Sequence, residues 1–270
     1  MFDSVTEKAF AKLNLSLNIL GVKGRYHELR MLDQTIDLFD EVTLIPRGDD
    51  LLVSDFEGDN SLVVLKKLQE EFHFGGAEVR ITKRIPVGGG LGGSSADAAA
   101  AALAAARLFS LPIARVKQIA APLFGDIAFQ MTKGTAIAEG MGEILTPLPP
   151  LPNRFVLLCF PEKGVLTKDA FALSDGYEKK KADLKSLYEA LSRGENADRF
   201  YANDLLPAAM RLNAEIGPLL REMKDDRALL TGMTGSGSTL FSVYKEKREA
   251  EEKAETLPCR ALVTRFSEGI

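Results

Sequence analysis

The chain has 270 residues, 46% of them hydrophobic, and carries 34 Lys and Arg against 38 Asp and Glu, a formal charge of −4. A pI near 5.5 with scattered basic residues, Lys179-Lys180-Lys181 being a short solvated run, excludes a general nucleic-acid binder. No long apolar span or leader-like segment is evident, so a cytoplasmic protein without a membrane partner is expected. Cys159 and Cys259 stand too far apart in sequence for a disulfide framework or a zinc spacing, and Cys159, inside an apolar run, reads as a buried thiol.

Residues 9–19 alternate, with Leu13, Leu15, Leu17 and Ile19 on one strand face and Lys12, Asn14, Ser16 and Asn18 on the other. Lys12 and Asn14 then lie about 6.6 Å apart, pointing the same way. A uniformly polar strand face reads either as solvent-facing sheet or as one wall of a site. Residues 21–26 form a turn, followed by strands over 28–38, 41–45 and 51–54. Val64, Leu65, Leu68 and Phe72 predict a helix over 61–72 with Asn60 as N-cap. Residues 77–83 alternate as a strand.

Next comes Pro86-Val87-Gly88-Gly89-Gly90-Leu91-Gly92-Gly93-Ser94-Ser95, then an almost unbroken alanine run to Ala106. Glycines leave backbone N–H groups bare and free to take positive φ. The first turn of the following helix adds unpaired donors and a positive dipole end, and the combination binds phosphate. Ser94 and Ser95 fall where N-caps or phosphate and metal contacts belong. No lysine lies between Arg84 and Arg107, so this is not a Walker loop. No acidic strand end follows about 20 residues on, so it is not a dinucleotide fingerprint either. A flexible glycine linker is the plain alternative, but a linker has no use for the strong helix former that follows.

A helix over 112–123 leads into a turn at 124–129, and strands at 135–138 and 143–148 flank Glu139-Gly140-Met141-Gly142. Pro147, Pro149, Pro150 and Pro152 divide the chain into lobes 1–150 and 151–270. The second lobe reads as a strand at 155–160, helices at 182–191 and 212–223, a glycine loop at 231–238, a strand at 239–244, a helix at 245–256 and a strand at 260–266. Early strands and a later helix-rich half give an α+β fold class with two lobes.

The motif P-x-x-x-G-L-x-[GS]-S-S resembles the phosphate loop of the GHMP small-molecule kinases. Ala11-Lys12-Leu13-Asn14-Leu15, Tyr26-His27, Phe124-Gly125-Asp126-Ile127, the run Ala138 to Leu145 and Thr234-Gly235-Ser236-Gly237 resemble, in order, motifs of the 4-diphosphocytidyl-2-C-methyl-D-erythritol kinase branch. Four features depart from that pattern: Gly24-Arg25 before the tyrosine, Ala128 in place of a proline, Ser238 in place of another, and Ser-Ser-Ala-Asp closing the loop. The resemblance implies a two-lobed fold with the active site in the cleft between lobes, monomeric or homodimeric. It implies ATP and Mg²⁺, and a small-molecule acceptor, a cytidine-diphosphate-linked polyol phosphorylated at its 2-hydroxyl. It assigns Lys12 and Asp126 to catalysis, residues 86–95 to the ATP phosphates, and Asn14, Tyr26, His27 and Thr167 to the substrate. Metal ligands stay open, Asn60 and Lys83 are candidates for adenine, Gly235 to Gly237 support the phosphate loop, and Asp97, Glu139 and Glu143 read as structural. By its residues alone, Asp126 also reads as a turn or cap residue and Lys12 as a surface lysine. A mevalonate-type or homoserine-type GHMP kinase, or a non-catalytic nucleotide or metabolite binder, are the alternative readings.

Overall fold

The computed structural model describes residues 3–24, 26–56, 58 and 60–269; Arg25, one of the departures above, lies outside them. A long antiparallel hairpin, β1 (Val5–Lys23) and β2 (Tyr26–Pro46), is the spine. Two strands were expected over 28–45, but no glycine or proline interrupts residues 28–45 and β2 runs through. One edge of β2 pairs with β1. Its other edge is shared by β5 (Thr135–Gly140) along residues 29–34 and β4 (Ala77–Thr82) along 41–46. Strands β3 (Leu52–Ser54) and β6 (Ile144–Leu148) complete a six-stranded sheet.

Helix α2 (Gly93–Leu108) shows why its sequence is alanine. One side packs Ala100, Ala101, Ala104 and Ala105 against Val42, Leu44 and Val79 of the sheet. The opposite side packs Ala98, Ala99, Ala102 and Ala106 against α1 (Ser61–Phe72), α3 (Ile113–Ala120) and α4 (Ile127–Thr132). A helix apolar all round is buried all round, and methyl side chains let both layers approach it. The turn expected at 124–129 is shorter than that, because α4 already starts at Ile127.

The second sheet has the order β10-β7-β9-β8, all antiparallel, from β7 (Phe155–Phe160), β8 (Leu230–Met233), β9 (Leu240–Tyr244) and β10 (Arg260–Arg265). Around it lie α5 (Thr167–Ser174), α6 (Leu184–Arg193), α7 (Leu206–Leu212), α8 (Ile216–Glu222) and α9 (Lys247–Glu255). The helix expected over 212–223 starts only at Ile216, because Asn213 is extended and its side chain accepts from the N–H of Glu215, separating α8 from α7. The register of β10 on β7 sets Ala261 opposite Cys159 and so brings Cys259 within reach. The two cysteines form a disulfide, Cα atoms 6.5 Å apart, which corrects the free-thiol reading.

The sheets share their cores. Leu13 and Leu15 pack with Leu158, Phe241 and Val243, while Leu17 and Ile19 pack with Leu157, Leu240 and Tyr244. Each such fully buried leucine contributes about 1.5–3 kcal/mol. The chain tail also returns to the first sheet, with Phe266 bridging Ile36 and the N–H of Ser267 donating to Thr35 O. Strand β1 is therefore a seam between the two layers.

Candidate active site

The polar row of β1 lies in that seam and is not a solvent face: Lys12, Asn14, Ser16 and Asn18 are all buried. Ser16 Oγ donates to Ala202 O at 2.7 Å, and the Asn18 amide reaches Lys180 O and Asp204. Loop residue Thr234 accepts from the Asn14 N–H at 3.0 Å and donates to Gly90 O at 3.2 Å, tying β1 to the phosphate loop.

That loop joins β4 to α2. Gly90 and Gly92 hold φ of +75° and +70°, where any other residue is strained. A Cβ on Gly90 would stand 2.5 Å from Thr234 O, and one on Gly92 would stand 3.0 Å from Lys12 Cγ. The first glycine lets the two glycine loops interlock, and the second lets the lysine cross the loop. The N-cap of α2 is Gly92, with no side-chain cap, so Ser94 and Ser95 stand in the first turn and are not caps. The Ala96 N–H makes the bond to Gly92 O, leaving first-turn donors for a ligand.

A cavity of about 560 Å³ opens on this loop. It is lined by the whole run 86–95 and by Lys12, Asn14, Asp126 and Thr167. Lys12 Nζ donates to Asn14 Oδ1 at 2.9 Å and lies 3.2 Å from Asp126 Oδ1. Burial works against the Lys12 charge, but Asp126 and Asp33 outweigh it and hold the ammonium above its ordinary pKa. Asp126 occupies the N-cap position of α4 yet makes no cap bond, so its side chain is free to face the cavity. The turn that carries it is braced from behind. A Cβ on Gly125 would strike Met141 O, and a Cβ on Gly142 would stand 2.8 Å from Gly125 O. The Glu139-Gly140-Met141-Gly142-Glu143 run thus shapes the turn, with Glu143 accepting from the Met141 N–H.

On the other flank, Lys83 Nζ bridges Asp40 at 2.5 Å and Asp97 at 2.6 Å. Asp40 also accepts from the N–H groups of Arg84 and Ile85, anchoring the start of the loop to β2. Burial, with Asp40 adding to it, pushes the Asp97 carboxyl up to about 7 against the pull of Lys83. Of the adenine candidates, Lys83 lines the cavity with Phe56, whose ring centre is 5.7 Å from Nζ; Asn60 stands outside the lining.

Tyr26 and His27 are not cavity-lining residues. They close the β1–β2 hairpin, with Tyr26 half exposed. The His27 ring stacks on Phe171 with centres 4.7 Å apart, and Nε2 is 2.8 Å from Asp175 Oδ1. Phe171 does line the cavity, so the pair connects to it through that ring. Thr167, at the start of α5, hydrogen-bonds Ser236 at 2.9 Å. Sequence reasoning missed Phe171 and the buried Asp33 beneath Asn14. A carboxylate within the strand run Met31-Leu32-Asp33 was the available signal, since strands disfavour aspartate.

Among the described residues, no group of three or more His, Cys, Asp or Glu side chains could hold a metal ion. The hydroxyls of Ser94 and Ser95 are oxygen donors suited to Mg²⁺, which keeps water and nucleotide phosphates as its other ligands. Among the described residues no helix is long and apolar enough to cross a membrane.

Residues 60–135 match the GHMP kinases N terminal domain, and residues 180–263 match GHMP kinases C terminal. A 4-diphosphocytidyl-2-C-methyl-D-erythritol kinase of Lachnoclostridium phytofermentans is 30% identical over 99% of this chain and 99% of its own. One of the same name from Desulfitobacterium hafniense is 38% identical over 91% of this chain and 89% of its own. A solved 4-(cytidine 5'-diphospho)-2C-methyl-D-erythritol kinase matches with a TM-score of 0.83 at 28% identity, covering 97% of this chain and 99% of that one. A homoserine kinase from Cytophaga hutchinsonii shares the fold with a TM-score of 0.74 at 18% identity, covering 99% and 96%. The chain belongs to the GHMP kinases, in the family of the 4-diphosphocytidyl-2-C-methyl-D-erythritol kinases.

Proposed function

We infer that the chain is an ATP-dependent kinase that phosphorylates the 2-hydroxyl of 4-diphosphocytidyl-2-C-methyl-D-erythritol, a step of the non-mevalonate route to isoprenoid precursors. The observation that carries the reading is the buried Lys12 ammonium, held between Asn14 and Asp126 on the wall of a cavity floored by the phosphate loop. The near full-length similarity to relatives of that name supports the acceptor.

In this reading the N–H groups of residues 88–95 hold the donor phosphates. The acceptor lies in the part of the cavity lined by Leu17, Leu29, Met31 and Phe171, with Asn14 and Thr167 beside it. Tyr26 and the stacked His27–Phe171 pair frame the cytosine end. The acceptor oxygen attacks the γ-phosphorus, the bond from phosphorus to the bridging oxygen breaks, and ADP leaves. The hydroxyl proton passes to Asp126. Lys12, ion-paired with Asp126 at 3.2 Å, steadies both the carboxylate and the acceptor oxygen. The hydroxyls of Ser94 and Ser95 would hold a magnesium ion that accompanies the nucleotide and that would neutralise charge at its phosphates.

The test is turnover with ATP and Mg²⁺ against 4-diphosphocytidyl-2-C-methyl-D-erythritol, mevalonate and homoserine in parallel. Turnover of the first alone is expected. Turnover confined to another acceptor would overturn the assignment.

A further inference from the structure

Beneath the Lys12–Asp126 pair lies a carboxylate that the reaction above does not use. Asp33 sits in the middle of β2, opposite Asn14 in the β1–β2 register, and is 1% exposed. Its Oδ1 accepts from Asn14 Nδ2 at 2.5 Å, while Oδ2 is buried with no hydrogen-bond partner. Asn14 Nδ2 also faces Met31 Sδ at 3.2 Å, and Asn14 Oδ1 accepts from Lys12 Nζ at 2.9 Å. An ionised carboxylate can only accept, and an ammonium can only donate. Placed at the two ends of one amide, they permit a single orientation: nitrogen toward Asp33, oxygen toward Lys12. The series Asp33, Asn14, Lys12, Asp126 is therefore directional, and it ends at the reacting groups.

We propose that Asp33 is a positioning residue for phosphoryl transfer, acting through the Asn14 amide to fix the Lys12 ammonium against Asp126 and adding its own charge to theirs. The proposal rests on the kinase reading of Lys12 and Asp126. Packing alone does not account for Asp33. A buried carboxylate with an unsatisfied oxygen is destabilising, and an apolar residue would suit a buried strand position better.

Asp33 faces Lys12 and Asn14 from β1, Asp126 from the turn before α4, and the uncharged Ala136 across β5. Burial pushes its carboxyl up to about 6, with Lys12 pulling down and Asp126 pushing up. Its charge, and with it the lock on Asn14, is lost as pH falls through that value.

The experiment compares the full chain with Asp33→Asn, which keeps shape and removes charge, and Asp33→Val, which suits a buried strand. Folding is checked by circular dichroism, and kcat and both KM values are measured from about pH 5 to about pH 9. In both variants kcat should fall by about ten- to a hundredfold, as for a slightly misplaced catalytic group. KM for ATP should stay within about twofold. The acid limb of the wild-type profile, centred near pH 6, should move to lower pH or disappear. Folded variants with wild-type kcat and an unmoved acid limb would overturn the proposal. Failure of both variants to fold would also overturn it, by assigning Asp33 to the architecture alone. Absence of wild-type turnover removes the kinase reading and this proposal with it; wild-type turnover with unaffected variants removes this proposal only.

Discussion

Replacing Asp126 by asparagine keeps the side-chain shape and removes its charge. The pair it breaks has Lys12 Nζ 3.2 Å from Asp126 Oδ1, with the lysine side chain 5% exposed and the aspartate 30%. At that separation unit charges attract by about 5 kcal/mol at an effective dielectric of 20 and by about 1.3 kcal/mol in water. The partial exposure of Asp126 puts the pair between those limits. The substitution therefore removes the proton acceptor and also leaves a buried ammonium with less compensation. Loss of a positioned base alone lowers kcat by on the order of 10²–10⁴, or about 3–5.5 kcal/mol of barrier. ATP affinity should change little, because the glycine loop and the first turn of α2 are untouched. Lys12→Met should lower kcat as well, and the double variant should cost much less than the product of the singles, since the two groups act as a unit. The assay is steady-state turnover with ATP, Mg²⁺ and the cytidylated acceptor, with a separate calorimetric titration of ATP. Turnover of Asp126→Asn within about threefold of wild type, under the 1.4 kcal/mol that a factor of about ten represents, would remove Asp126 from the mechanism.

Gly90→Val should cost both ATP affinity and stability, because its Cβ would stand 2.5 Å from Thr234 O and separate the interlocked loops; a stable variant with wild-type affinity would place the nucleotide elsewhere. Gly88→Ala is the milder companion, since nothing lies within 4 Å of its Cβ and only its φ of +71° is strained, at about 1–2 kcal/mol. Asp97 has its folded pKa raised from 3.8 to about 7, so its contribution to stability is present below the unfolded value and is lost as pH rises through the folded one. Asp97→Asn should therefore gain on wild type as pH rises from about 4 to about 8; urea unfolding at both values checks this, and an equal difference at both would refute it. Phe171→Ala removes the ring that His27 stacks on at the cavity wall. It should raise the acceptor KM by the equivalent of about 1–3 kcal/mol, as for a stacked base, and leave the ATP KM alone; parallel changes in both would refute the cytidine placement.

The parts of the fold that were legible in the sequence are those whose causes are local. Glycines at 88, 90 and 92 adopt the positive φ that their lack of a side chain permits, and the alanine run is a helix. The alternation of β1 is real, but its polar face was open to two readings because what covers it comes from far along the chain: Ala202, Asp204 and Thr234. The cysteine pair was missed for the same reason, its sulfurs being 100 residues apart in sequence. Helices α5 and α7 were missed because, at 8 and 7 residues, they are too short for an apolar helical period to stand out. Asp33 was hidden by register, since β1 shifts between Ile19 and Gly21 and again between Asn14 and Ser16, so its facing partner could not be counted from the turn. Asp126 was legible through family resemblance alone. By position it is a helix cap, and only the structure shows that it makes no cap bond.

The two lysines beside the phosphate loop, Lys12 buried and Lys83 partly buried, follow one pattern. Lys12 is flanked by Asp126 and Asp33, and Lys83 by Asp40 and Asp97, so each ammonium is already over-matched by carboxylates. Neither is a spare positive charge for a triphosphate. In the proposed reaction the nucleotide's charge would then be met mainly by backbone donors, the α2 dipole and an accompanying divalent ion. This gives a reason for Gly92 at the N-cap of α2. A serine or aspartate there would be the usual choice, and its oxygen would take the N–H of the second or third residue of the helix. With glycine, the donors of Ser94 and Ser95 are left for phosphate, and Lys12 passes across the same position on its way to Asp126. In the proposed reaction one missing side chain would thus serve both halves, leaving donors for the phosphates and letting Lys12 reach Asp126.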